Sequence, residues 1–165
     1  MPAPRRLLAL ILLLLTTPAA LPQEPFPTQI AGSWKITRTL PTTNHGCWDK
    51  APTLLGTTLT YRPASMRWKG GLVPLNGVAT RTLTQDVFAK ESATTYGAPL
   101  NLTDLNITTP RVLEIDRQHE DADITGSTTE VPGDTILYVN KNTIVISACG
   151  TYFQATRSSP AGRAP

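Results

Sequence analysis

Two histidines, two cysteines and one acid-rich run are the residues of this 165-residue chain best suited to chemistry. An imidazole acts as a general base near neutral pH only with a nucleophile or a substrate proton in reach. His45 lies between Pro41 and Pro52, two positions before Cys47 and close to Trp48. His119 lies inside the acid-rich stretch. Neither has a nucleophile at a telling spacing, and the chain contains no Gly-x-Ser-x-Gly and no His-Glu-x-x-His. The sequence therefore predicts no enzyme and assigns no catalytic residue. A structural zinc site wants four Cys or His ligands, and two of each leave little room for one. No cofactor is implied.

The acid-rich run is Glu114, Asp116, Glu120, Asp121 and Asp123, interleaved with Arg117 and His119. Asp121-x-Asp123-x-Thr125-Gly126 copies the first half of a calcium loop, with oxygen ligands at alternate positions and a glycine for the turn. The second half departs from the pattern. Pro132 stands at position twelve, where a bidentate Glu is needed, and Thr128 at position eight, where a hydrophobe is usual. A solvated acidic loop is expected over 114–123, and no metal ligand is assigned. A third cluster, Tyr61, Arg62, Arg67, Trp68 and Lys69, is basic and aromatic. It could stack on a sugar or grip an anionic group. The plainer reading is a hairpin whose aromatics face in and whose bases face out. Asn101-Leu102-Thr103 and Asn106-Ile107-Thr108 fit the glycosylation acceptor pattern.

Residues 1–20 read as a secretory signal peptide. Arg5 and Arg6 give the positive start, and residues 7–15 are an unbroken apolar run, too short to span a bilayer. Thr17, Ala19 and Ala20 are small residues suited to cleavage. A periplasmic or secreted location follows, with no membrane span. Without Arg5 and Arg6, 13 Lys+Arg face 12 Asp+Glu, about +1. A near-neutral chain is a poor general polyanion binder, so no nucleic-acid partner is expected. In an oxidising compartment Cys47 and Cys149 are expected to pair. In the chain-entropy model, closing so long a loop is worth about 4–5 kcal/mol.

Residues 21–28 carry Pro22, Pro25 and Pro27 and read as an extended linker. Residues 158–165 read as a disordered tail. One domain, 29–157, lies between them. It is built for strands: the chain has 26 Thr but only 5 Lys and 5 Glu. Alternation marks strands at 32–40, 54–61, 65–68, 111–116, 135–139 and 143–149, and one long or two short strands over 72–83. Gly150 interrupts a run that continues over 151–157. Only 85–92 and 100–105 suggest short helices. Seven to nine turn-punctuated strands predict an all-β fold, a single antiparallel barrel of about eight strands. Cys47 follows the first strand and Cys149 ends the last hairpin. Their bridge would join the chain ends of the sheet, as closure requires.

Gly32-Ser33-Trp34 opens the first strand and Arg157 ends the last. This resembles the lipocalin and wider calycin pattern, a Gly-x-Trp near the start and an Arg on the final strand. The match covers the two ends of the domain. In that family the Arg packs over the Trp and closes one end of the barrel, which assigns a structural role to Trp34 and Arg157. The resemblance implies a small, mostly apolar ligand inside the barrel, held here by Ile36, Leu59, Tyr61, Trp68, Tyr138, Ile144 and Phe153. The other reading of those residues is that they fill a solid core. The chain also resembles bacterial metalloprotease inhibitors, small exported barrels with Gly-x-Trp and one disulfide that plug an enzyme cleft with a segment ahead of the barrel. Residues 21–28 occupy that place in this chain. The favoured role is therefore non-enzymatic binding of a small hydrophobic molecule. The alternative is an exported protease inhibitor or other protein-interaction module with a filled barrel.

Overall fold

The computed structural model describes residues 24–40, 51–75, 77–96, 98–118, 132–133, 135–148 and 151–158. Residues 1–20, which the sequence reads as a signal peptide, together with Cys47, Cys149, His45, His119, Gly150, the half-calcium motif and residues 159–165, lie outside the described residues. Nine strands form one sheet: β1 (Gly32–Thr39), β2 (Thr58–Arg62), β3 (Ser65–Trp68), β4 (Gly71–Pro74), β5 (Gly77–Thr84), β6 (Arg111–Gln118), β7 (Thr135–Asn140), β8 (Thr143–Ala148) and β9 (Thr151–Arg157). Their order is β4-β3-β2-β1-β9-β8-β7-β6-β5, and every neighbouring pair is antiparallel. The first strand therefore pairs with the last, as the all-β barrel expectation requires. Among the described residues, no helix is long and apolar enough to cross a membrane.

The two edges of the sheet, β4 and β5, are consecutive in the chain. Laid flat, nine strands spaced about 4.8 Å apart would hold those edges roughly 38 Å from each other. The two-residue link between Pro74 and Gly77 reaches at most about 11 Å. The sheet must therefore curl until its edges approach at that corner, and it does so as a half-barrel. The run 72–83 is thus two strands, and the break sends them to opposite edges. The 54–61 expectation shortens for a different reason. Residues Ala51–Leu54 form a 3-10 turn, Gly56 takes φ +81°, and the Thr57 hydroxyl donates to Leu54 O at 2.7 Å. This turn releases Leu55 to solvent and starts β2 at Thr58.

Alternation divides the apolar residues between two faces. The concave face gathers one core from all nine strands, including Trp34, Ile36, Leu59, Tyr61, Met66, Val73, Val78, Ile115, Ile136, Ile144, Ile146, Phe153 and Ala155. On the convex side, β5–β9 carry a second core: Leu83, Val112, Leu137, Val145 and Tyr152. One helix covers it, α1 (Gln85–Tyr96), helped by the 3-10 turn Leu102–Leu105. Thr84 starts α1 by accepting the Val87 N–H at 3.4 Å, in the manner of an N-cap. Phe88 then meets Tyr152 edge to face, with centroids 6.0 Å apart. The convex face of β1–β4 has no such cover among the described residues.

Candidate functional site

The two ends of the domain meet at Trp34 and Arg157, which are cross-strand partners. Trp34 is fully buried, and its indole N–H donates to Ile30 O at 2.8 Å. The Arg157 guanidinium stacks over the ring, 4.1 Å from its centroid. Its three nitrogens donate to Ala31 O (2.8 Å), Gln29 O (2.5 Å) and Lys141 O (2.7 Å). Only a planar fork of fixed donors can stack on a ring and reach three carbonyls at once. Gly32 makes room for this fork. Its φ is +117°, and a Cβ there would sit 2.9 Å from Arg157 Nη1. The pair locks the 3-10 turn Thr28–Ile30 and the β7–β8 hairpin onto the start of β1.

The seven residues read as ligand-holding all point to the concave side. Ile36, Leu59, Ile144 and Phe153 are 0% exposed and Tyr61 is 1% exposed. Trp68 and Tyr138 are half-buried against the same core. A side chain with no accessible surface borders no space that a water molecule can enter. Around the five fully buried residues the concave side is packed solid. Two groups complete the filling that sequence reasoning did not place. Phe26, from the proline-rich segment, packs against this core, while Glu24 beside it accepts a hydrogen bond from Thr80 on β5 at 2.6 Å. Arg117 is 5% exposed, donates through Nε to Gly133 O at 2.8 Å and lies 5.5 Å from the Tyr61 ring centroid. The signal for Arg117 was present, because it shares alternation with Leu113 and Ile115. Gly133 is fixed by the same cluster: Tyr61 donates to its carbonyl at 3.3 Å, and its φ is +87°.

A cleft of about 180 Å³ opens between α1 and the convex face, lined by Phe88, Glu91, Ser92, Glu114, Thr135, Ser147 and Tyr152. Arg81 spans it. Its terminal nitrogens donate to both Glu91 oxygens at 2.8 and 2.7 Å, and Nε donates to Glu114. The hydrogen bonds that Arg81 donates to Glu91 and then to Glu114 drive its pKa up. The hydrogen bond from Arg81 holds Glu91 below the usual carboxylate range. The polar lining is also engaged within the protein. Ser92 Oγ donates to Ala89 O and accepts the Leu100 N–H, and Thr135 donates to Asp116 at 2.9 Å. The cleft is thus a polar seam that fastens the helix to the sheet. With Arg81 on β5, these residues come from six separate elements, and no sequence spacing announces them.

Glu114 and Asp116 belong to this seam rather than to an acidic loop. Among the described residues, no group of three His, Cys, Asp or Glu is arranged to hold a metal ion. Asn101 and Asn106 are exposed on either side of the Leu102–Leu105 turn. Asn101 forms a capping box with Asp104, and Asn106 takes the left-handed conformation.

The basic-aromatic hairpin takes the plainer of its two arrangements. Tyr61 and Trp68 face the core, while Arg62, Arg67 and Lys69 are exposed. Lys69, at the hairpin tip, folds back over the Trp68 ring at 4.8 Å. No known protein family, curated protein or solved structure matches the chain.

Proposed function

We propose that this protein is an exported, non-enzymatic binding protein whose filled half-barrel is a scaffold and whose recognition surface lies on its outside. The observation that carries the reading is the absence of accessible surface on Ile36, Leu59, Ile144 and Phe153, the heart of the set that a small apolar guest would need. Phe26 and the Glu24–Thr80 hydrogen bond support it, because they hold the leading segment against the body. A segment so seated is poorly placed to plug a protease cleft. Of the two roles that the sequence suggests, the interaction module with a filled barrel is favoured over the hollow carrier. The residues 1–20 leader and the Cys47–Cys149 bridge remain part of the proposal.

Titration of the purified protein with a fluorescent fatty-acid analogue, alongside native mass spectrometry, tests this. The expected result is no saturable uptake and a mass equal to the polypeptide alone. One-to-one uptake with a dissociation constant below about 1 μM, lost on Phe153→Trp, would overturn the filled-scaffold reading.

A further inference from the structure

Net charge hides how the charges are distributed. The exposed strands β1–β4 and their hairpin tips carry Lys35, Arg38, Arg62, Arg67 and Lys69. Neither 32–40 nor 58–74 contains an Asp or Glu. Residues 77–118, which supply β5, α1 and β6, instead carry Asp86, Glu91, Asp104, Glu114 and Asp116 against four Lys or Arg. The near-neutral total is the sum of two halves of different character, so the sequence-level argument against polyanion binding does not apply to β1–β4 by itself.

Register places four of the five cations on one face. Ser33, Thr60, Arg67 and Leu72 form a cross-strand row, Lys35 pairs with Thr58 and Thr156, and Arg62 pairs with Ser65. All these residues alternate with core residues and so lie on the convex side. A bulge between Ile36 and Arg38 turns Arg38 to the side of Lys35. From strand spacing and rise, Arg62 and Arg67 are about 8 Å apart along the backbone, and Arg67 and Lys35 about 12 Å. Arg62 and Arg67 lie within one screening length at physiological salt, about 8 Å, and Lys35 lies beyond it, so the charges add up along a bound polyanion rather than through one another. Among the described residues, no carboxylate is within ion-pair distance of any of them.

Resting on the outer-surface reading above, we propose that the open convex face of β1–β4 binds a linear acidic polysaccharide through Lys35, Arg38, Arg62 and Arg67. Charge complementarity selects a polyanion, and the rest of the face selects its type. Thr58 and Thr156 supply hydroxyls between the cations, matched to sugar hydroxyls between acid groups, while Ser33 and Thr60 hydrogen-bond each other at 2.9 Å and keep one further hydrogen-bonding direction each. No aromatic ring is exposed on the described part of this face, so single-stranded nucleic acid finds nothing to stack on. On the described part of this face Leu72 is the one large exposed apolar side chain, too little for membrane insertion or for the buried anchors of a protein interface.

Heparin and alginate serve as sulfated and carboxylated probes, with neutral dextran, duplex DNA and phosphatidylserine vesicles as comparisons at equal ionic strength. The full-length protein should bind a probe glycan with salt-dependent affinity, and dextran not at all. K35E/R62E/R67E should weaken binding at least about tenfold with an unchanged melting temperature. K90E/R111E, on the other half, should bind like the parent. The milder R67Q and K35Q report the same face should the triple variant fold poorly. No retention on either glycan, equal affinity for DNA or vesicles, or undiminished binding by the charge-swapped variants would overturn the proposal. Uptake of the fatty-acid analogue would instead refute the filled scaffold, so the two failures are distinguishable.

Discussion

Consider replacing Arg157 with alanine. The side chain makes one stacking contact, 4.1 Å above Trp34, and three hydrogen bonds to backbone carbonyls. Cation–π stacking at a half-buried site is worth about 1 kcal/mol. The bond to Ala31 O is part-buried and charge-assisted, about 1.5 kcal/mol net. Those to Gln29 O and Lys141 O are exposed, and water replaces them at a loss of about 0.5 kcal/mol each. The total is about 3–4 kcal/mol, before counting the Trp34 surface newly open to water. Arg157→Lys keeps the charge but offers one compact ammonium where three separated acceptors need a fork, so it should lose about half as much. Urea unfolding followed by tryptophan fluorescence measures both. The midpoint should fall with an unchanged slope, and Lys should lie between Arg and Ala. An alanine variant within about 1 kcal/mol of the parent would show that the strand pairing alone holds the two ends. Arg157 would then have no part in holding the first strand to the last.

Gly133→Ala should be destabilising by about 2 kcal/mol or more. Its φ of +87° disfavours any side chain, and the new Cβ would lie against the Tyr61 hydroxyl. Thermal melts should show partial recovery in the Tyr61→Phe, Gly133→Ala double variant. The Arg81–Glu91 pair makes stability depend on acid. Glu91 has a folded-state pKa below its unfolded value, so its contribution is present above the unfolded pKa and lost as pH falls through the folded one. Both side chains are nearly half exposed, so screening keeps the effect under about 1 kcal/mol. Glu91→Gln should therefore be slightly less stable than the parent at pH 7, with the gap closing in the acid range. A gap that widens on acidification would contradict the pairing.

Several features were legible because they are local. Trp34, Ile36, Leu59, Tyr61, Ile144, Ile146 and Phe153 face inward because successive strand residues point to opposite faces, and alternation writes that directly into sequence. The hairpins around Pro63 and Lys141 were marked by their turn residues. Other features were not local. Whether 72–83 bends back or breaks depends on which edge each half can join, and that is fixed by strands far away in sequence. The cleft draws Glu91, Glu114, Thr135, Ser147 and Tyr152 together across more than 50 positions.

The amino-acid pattern by itself determined an antiparallel β fold, the inward set, and the Trp34 and Arg157 positions at the first and last strands. Only the tertiary structure decided that five of the seven inward residues keep almost no accessible surface, that one helix covers half of the convex face, and that the cations of β1–β4 are left together on the other half. The reason is physical. Side-chain alternation is a property of one strand, whereas filling, covering and charge segregation depend on which strands curl against one another.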